Sequence, residues 1–163
     1  MGNERVETAI LDAAPLIHLD QINHLSLLSI FNNLIIPREV YEEVSVGEIP
    51  SELEQYEYEV VEAENKKVFE KLDEGESSAL SIAQDMGDEI VFLTDDLDAR
   101  QKAKDLGIEV HGSIGVIAAN FRNGNLEFEE AVTAMRSLQT ETELFVTDAV
   151  VEQGIKLLEE YSR

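Results

Sequence analysis

The sequence predicts an α/β fold, specifically a three-layer α/β/α sandwich with a central parallel sheet. Three short apolar runs, at residues 8–12, 34–36 and 90–93, have the length and composition of buried parallel strands. Amphipathic helical patterns alternate with these runs, as expected where helices join parallel strands. With 163 residues, 44% of them hydrophobic, the chain can bury a sizeable core. We therefore expect residues 1–163 to form a single domain.

In the first half of the chain, boundary residues locate the elements in order. The first strand covers about residues 8–12, and Pro15 then favours the first turn of a helix with an apolar stripe over 16–22. A short helix is expected at 25–31, followed by strand 34–36 and by a helix that Pro37 opens and that continues through Val44. Alternation over 56–62 predicts an edge strand, and 65–72 is weakly helical.

The second half has the clearest helical pattern, which Glu76 opens and Gly87 ends. Strand 90–93 follows, and Asp95 or Asp96 can cap a helix over 97–106. A strand at 108–110 and a helix at 114–121, capped by Ser113, come next. Two helices, at about 127–138 and 147–161, complete the chain, and we expect this C-terminal part (about 127–162) to pack on the same domain.

Carboxylates follow the predicted strands or open helices at four places. Asp12 and the Asp95-Asp96 pair come directly after apolar strands, Glu43 lies in the helix after the second strand, and Glu76 opens a helix. The carboxyl ends of parallel strands gather ligands at one edge of a sheet, and clustered carboxylates repel one another unless a hard cation such as Mg²⁺ or Mn²⁺ neutralises them. Because 35 of the 163 residues are acidic, solvated strand-end and helix-capping acids are the alternative.

The charge balance is extreme, with a formal net charge of −23 at pH 7. Such self-repulsion destabilises a compact protein at low salt and is largely screened at about 1 M salt, where the Debye length is roughly 3 Å. The composition therefore favours a halophilic protein from a salt-loaded cytoplasm, with an ordinary acidic protein as the alternative. The lack of cysteine, the polar first residues and the lack of a long apolar run also favour a cytoplasmic location away from membranes.

Other familiar catalytic patterns are missing from the sequence. It has no Gly-x-x-x-x-Gly-Lys phosphate loop, no Gly-x-Gly-x-x-Gly fingerprint and no Gly-x-Ser-x-Gly elbow. The three histidines, His18, His24 and His111, show no metal-ligand spacing, and we expect structural roles for them.

Four segments in order, "ILDAAPLIHL", "IIPREVYEEV", "DEGESSALSIA" and "VFLTDDLDAR…AKDLGIEVHGSIGVI", resemble the PIN-domain family. The resemblance covers roughly residues 8–125 and is strongest to the prokaryotic PIN-like group allied to VapC toxins. It implies that the family's four acids correspond to Asp12, Glu43, Glu76 and Asp96, with Asp95 and Asp98 as auxiliary metal ligands. Glu42 competes with Glu43. The chain departs from the family pattern after Asp12, where Ala13 and Ala14 replace a frequent hydroxyl or amide residue.

The resemblance also implies a function, namely hydrolysis of RNA phosphodiesters by a metal-dependent endoribonuclease using Mg²⁺ or Mn²⁺. It implies that the chain is the toxin of a toxin–antitoxin pair, with an antitoxin protein as partner and a homodimer as a common assembly. Because a −23 chain repels RNA, the few cations near the acids matter, and Arg38, Arg100 and Lys104 are the candidate phosphate contacts. The alternative is a catalytically degenerate PIN-like module that binds a protein or nucleic-acid partner.

Overall fold

Five parallel strands form the central sheet of the computed structural model, which describes residues 7–46, 53, 56–87, 89–142 and 146–163. The strands are β1 (Thr8–Leu11), β2 (Asn33–Pro37), β3 (Tyr58–Val61), β4 (Ile90–Leu93) and β5 (Val110–His111). Their order across the sheet is β3-β2-β1-β4-β5, and every pair of neighbours is parallel.

Helices cover both faces of this sheet. They are α1 (Ala13–Gln21), a 3₁₀ helix (Leu25–Ile30), α2 (Arg38–Val46), α3 (Glu74–Met86), α4 (Leu97–Asp105), α5 (Ser113–Arg122), α6 (Phe128–Thr140) and α7 (Asp148–Tyr161). Ile10 of β1 packs into one apolar cluster with buried residues of α3 and α4. Its neighbours Ala9 and Leu11 belong to a second cluster with α1, α2 and α5–α7. Alternate side chains of a strand therefore serve opposite layers, which gives the α/β/α sandwich that the sequence predicts.

The strand order places the carboxyl ends of β1 and β4 next to each other. β1 lies between β2 and β4, so the connections leave β1 and β4 in opposite directions at their carboxyl ends. Leu11 is in register with Leu93, and the Asp12 amide donates to the Leu93 carbonyl at 3.0 Å. Asp12 and Thr94 consequently lie side by side, at the kind of switch point where open α/β sheets bind ligands.

One predicted element is wrong, the weak helix at 65–72, which is irregular with turns. Its amides donate to serine hydroxyls of α3: Lys67 to Ser81 at 2.8 Å and Phe69 to Ser77 at 3.2 Å. These bonds across the fold replace the carbonyl acceptors that a local helix would provide. The last strand is also shifted, because it pairs through Val110 and His111 rather than 108–110.

Candidate metal centre

Asp12 links β1 to α1 and is the most constrained of the predicted site residues. It caps α1, with Oδ1 accepting the Ala13 amide at 2.8 Å, while Oδ2 accepts the Thr94 hydroxyl at 2.7 Å. The side chain is buried, and this burial raises the pKa of the Asp12 carboxyl from 3.8 to about 6, with smaller contributions in the same direction from Asp73 and Glu43. A negative charge at this position is therefore costly unless a cation accompanies it.

Thr94 joins Asp12 to Asp96. Besides donating to Asp12, its Oγ1 accepts the Asp96 amide at 3.1 Å. Asp96 in turn caps α4, with Oδ2 accepting the Ala99 amide at 2.8 Å. The hydroxyl of one buried threonine thus contacts the carboxylate of Asp12 and the backbone amide of Asp96, two residues that lie 84 positions apart in the sequence.

The start of α3 supplies a second pair of acids. Asp73 and Glu76 form a reciprocal capping box: Asp73 Oδ1 accepts the Glu76 amide at 2.8 Å, and Glu76 Oε1 accepts the Asp73 amide at 3.0 Å. Glu76 is buried, which raises the pKa of its carboxyl from 4.5 to about 8, and Asp12, Asp73 and Asp96 contribute further. These contributions show that Glu76 lies within electrostatic reach of both strand-end acids.

Glu43 approaches the same place from α2. A Cβ on Gly75 would lie 3.9 Å from Glu43 Oε1 and only 2.9 Å from Val40 Cγ2, so the glycine allows α2 to pack closely against the start of α3. Partial burial raises the pKa of Glu43, and Asp73 adds to the shift. Glu43, rather than its competitor Glu42, is thus the α2 acid beside Asp73.

Asp73 is an acid next to the candidate site that the sequence prediction did not include. Its charge helps to raise the pKa values of Asp12, Glu43 and Glu76. The Asp-x-x-Glu spacing of Asp73 and Glu76 before an apolar helix is a capping-box signature, and it could have located the acid from the sequence.

Asp95 and Asp98 do not join this group. Asp95 bonds to His18 at 2.9 Å and to the amide and hydroxyl of Ser113, both at 2.6 Å. Asp98 is exposed on the first turn of α4. The oxygens of Asp95 are thus already bonded to α1 and α5, and the role of Asp95 and Asp98 as auxiliary metal ligands stays a prediction.

The carboxylate ligands suit a hard cation, but the described side chains are not arranged as a preformed metal site. Within the described ranges, no group of three or more His, Asp or Glu side chains is arranged to hold a metal ion. Asp12, Asp73, Glu76 and Asp96 instead accept backbone or hydroxyl hydrogen bonds. The donors are nevertheless all carboxylate oxygens, the type that Mg²⁺ and Mn²⁺ prefer. Burial, with smaller contributions from neighbouring acids, raises the pKa values of Asp12 and Glu76, and a cation would offset this cost of ionisation.

The predicted phosphate contacts lie on α2 and α4, the helices that follow β2 and β4. Arg38 is 3.8 Å from Glu62 in an exposed pair, and Lys104 is exposed on the last turn of α4. Arg100 lies beside Gly112, where an added Cβ would be 3.3 Å from its Nη1. Lys66, which the sequence prediction did not include, bonds to Glu39 at 3.0 Å and to Glu74 at 3.5 Å and so joins the starts of α2 and α3.

Comparisons with known proteins define the class. The family model DUF3368, described as a PIN domain, matches residues 8–160, so this chain belongs to the PIN-domain family. Among solved structures it is similar to a PilT N-terminus domain protein, SSO1118, from the hyperthermophilic archaeon Sulfolobus solfataricus P2, with a TM-score of 0.55 and 20% identity over 69% of this chain and 92% of that one. A search of curated proteins gave no match.

Membership of this family carries a general expectation of activity. PIN domains are typically nucleases that act on nucleic acid and use divalent metals. Among the helices that the structure describes, none has the length and apolar character needed to cross a membrane.

Proposed function

We propose that this chain is a divalent-metal-dependent endoribonuclease whose active site is built from Asp12, Glu43, Glu76 and Asp96, with Asp73 as a fifth acid. The observation that carries the proposal is the burial of two carboxyls, Asp12 and Glu76, beside other acids at the carboxyl end of the sheet. Asp12 and Glu76 are buried, belong to different elements, and have pKa values raised to about 6 and about 8. Strongly shifted carboxyls gathered at a strand-switch point are characteristic of functional sites.

The residues of the chain have separable roles in this proposal. Asp12, Glu43, Glu76 and Asp96 hold one or two Mg²⁺ or Mn²⁺ ions. Such an ion, when bound, lowers the pKa of a coordinated water and neutralises charge on the scissile phosphate. Thr94 keeps Asp12 and Asp96 in place through its two hydrogen bonds. Glu76, with a pKa of about 8, must lose its proton before its oxygens can act as ligands, and Asp12, with a pKa of about 6, ionises at lower pH. Cation affinity therefore rises with pH.

The departure at Ala13 and Ala14 does not leave Asp12 without support. In the family pattern a hydroxyl or amide residue often follows the first acid, whereas here the Thr94 hydroxyl donates to Asp12 at 2.7 Å and the Ala13 amide donates at 2.8 Å. Both oxygens of Asp12 therefore have an orienting partner, which is the usual requirement for a precise metal ligand. This supports an active rather than a degenerate site.

The charge of −23 places conditions on an RNA substrate. Phosphate neutralisation supplies most non-specific affinity for nucleic acid, and an acidic surface opposes it. Salt in the molar range reduces the Debye length to roughly 3 Å, which screens both this repulsion and the repulsion within the fold. We therefore place the activity in a salt-loaded cytoplasm, with Arg38, Arg100, Lys104 and Lys66 as candidate phosphate contacts.

The biological setting that we propose is a toxin–antitoxin pair. The resemblance to VapC-type proteins supports it, with an antitoxin protein that covers the acidic site and a homodimer as the assembly. A small basic or DNA-binding protein encoded beside this chain is the observation that would test the pairing.

A second function is favoured by one specific observation, the helix-capping hydrogen bonds made by the site acids. Asp12, Asp73 and Asp96 each cap a helix, so these carboxylates also have a structural use. On that basis the alternative is a degenerate PIN-like module that binds a partner and cleaves nothing.

Cleavage of RNA separates the two functions. The protein is incubated with labelled single-stranded RNA in about 2 M KCl, with Mn²⁺ or with a chelator, beside Asp12→Asn and Glu74→Gln variants. Cleavage that needs Mn²⁺, is lost in Asp12→Asn and persists in Glu74→Gln supports the nuclease. No cleavage by the parent under any of these conditions favours the binding module.

A further inference from the structure

Asp95 makes three side-chain hydrogen bonds beside the candidate metal centre. Its Oδ2 lies 2.9 Å from His18 Nδ1 and accepts the Ser113 hydroxyl at 2.6 Å, while Oδ1 accepts the Ser113 amide at 2.6 Å. The side chain is only 6% exposed, and that of His18 is 11% exposed. The β4–α4 loop is thereby tied to the middle of α1 and to the first residue of α5.

The Asp95 carboxylate takes the place of a side-chain cap at the N-terminus of α5. The N-cap residue of α5 is Gly112 rather than the predicted Ser113, and it has no side chain to accept the first amides of the helix. Asp95 performs that task from 18 positions away, and a carboxylate at a helix N-terminus is also favoured by the helix dipole. A Cβ on Gly112 would lie 2.8 Å from Asp95 Oδ1, so the glycine provides the space that the contact needs.

Thr94 and Asp96, the neighbours of Asp95 in the sequence, belong to the candidate metal centre or contact it. Thr94 donates to Asp12, and the Asp96 amide donates to Thr94. Within these three consecutive residues, Thr94 bonds to Asp12, Asp96 caps α4, and Asp95 bonds to α1 and α5. α1 itself begins at Asp12, which caps it, and carries His18 further along.

We propose that Asp95 is a positioning residue, which holds Thr94 and Asp96 against Asp12 through its bonds to His18 and Ser113 and does not bind the cation. This inference deepens the proposed function and rests on it for its effect on activity. Loss of the anchor lets the loop move, and supporting residues of this kind typically change metal affinity or activity by about 10–100-fold.

Two substitutions separate positioning from metal ligation. Asp95→Ala removes every contact, whereas Asp95→Asn keeps an oxygen for the Ser113 amide and an amide group for the Ser113 hydroxyl. Positioning predicts that Mn²⁺ affinity and kcat fall about 10–100-fold in Asp95→Ala and recover to within about threefold of the parent in Asp95→Asn. Asp105→Ala, at the exposed far end of α4, removes the same charge and serves as the control. Asparagine as damaging as alanine would overturn the proposal, because it would assign the carboxylate charge itself a ligand role.

Hydrogen exchange of individual amides tests the positioning without any metal or substrate. The amides of Asp96 and Ala99 are protected by Thr94 Oγ1 and Asp96 Oδ2, and both should exchange at least about tenfold faster in Asp95→Ala, while the Phe92 amide inside the sheet stays protected. Ser113→Ala, which removes only the hydroxyl bond, should produce a smaller change of the same kind and replaces Asp95→Ala if that variant does not fold.

Hydrogen exchange tests the positioning role, whereas Mn²⁺ binding and RNA cleavage test the proposed nuclease. Unchanged exchange at Asp96 and Ala99 would overturn the positioning role, whatever the enzyme does. Faster exchange at these amides in a protein that neither binds Mn²⁺ nor cleaves RNA would support the positioning of the loop and contradict the proposed nuclease.

Discussion

Replacing Glu76 by glutamine should stabilise the metal-free protein at neutral pH. Glutamine keeps the shape of the side chain and an oxygen that can accept the Asp73 amide, so the capping box survives. It removes a carboxyl whose ionisation is opposed first by burial and then by Asp12, Asp73 and Asp96. The substitution therefore relieves repulsion without opening a cavity.

The magnitude follows from the raised pKa. A carboxyl with a pKa of 4.5 in the unfolded chain and about 8 in the fold makes the folded state bind more protons, so stability falls as pH rises from about 4.5 to about 8. At about 1.4 kcal/mol per pKa unit, the cost at pH 7 is at most about 3 kcal/mol, and solvent near the site reduces it to about 2 kcal/mol. For a domain of this size that gain corresponds to a rise of about 4–8 °C in melting temperature.

Thermal unfolding in chelator, at pH 5 and at pH 7, measures this effect. The gain of Glu76→Gln over the parent should be large at pH 7 and small at pH 5, where both proteins are neutral at this position. Glu74→Gln provides the matched control, since Glu74 belongs to the same helical turn, is exposed and makes only a 3.5 Å contact with Lys66. Equal melting temperatures for Glu76→Gln and the parent at pH 7 would refute the electrostatic account of the site.

Three further predictions concern the Thr94 hydroxyl, the protonation of Asp12 and Glu76, and the net negative charge of the chain. Thr94→Val should lower the free energy of unfolding by about 1–3 kcal/mol, because Asp12 Oδ2 and the Asp96 amide lose a buried partner. Thr94→Ser keeps the hydroxyl and should restore the free energy of unfolding, which denaturant titration measures. Mn²⁺ affinity, measured by calorimetry, should rise between pH 6 and pH 8.5 as Asp12 and Glu76 lose their protons; an affinity that does not change with pH would argue against these ligands. The melting temperature should rise markedly between low salt and about 2 M KCl, and a flat dependence would leave the halophilic proposal without support.

The fold was predictable where local pattern and tertiary environment agree. Strands at 90–93 and 34–36 are apolar because both faces of the sheet are covered, so composition alone locates them. The segment 65–72 was not predictable, because its amides bond to Ser77 and Ser81 of a helix that follows it, and a local pattern does not show such partners.

For the candidate site, the sequence identified the acidic residues but not which partners their side chains contact in the fold. Asp95 and Asp96 are adjacent and chemically identical, yet one faces His18 and Ser113 and the other caps α4 beside Thr94. The turn of the backbone after β4 and the packing of α5 decide this difference. The capping-box spacing of Asp73 and Glu76 is visible in the sequence, but the approach of Asp73 to Glu43 depends on how closely α2 packs on α3 at Gly75.

Calorimetric titration with Mn²⁺ at pH 8.5 tests the central claim, that Asp12 belongs to a carboxylate metal centre, most directly. The account predicts that the parent binds Mn²⁺, that Asp12→Asn binds it at least about tenfold more weakly while remaining folded, and that Glu74→Gln binds it as the parent does. A parent that binds no Mn²⁺, or an Asp12→Asn variant that binds it as tightly as the parent, would contradict the claim.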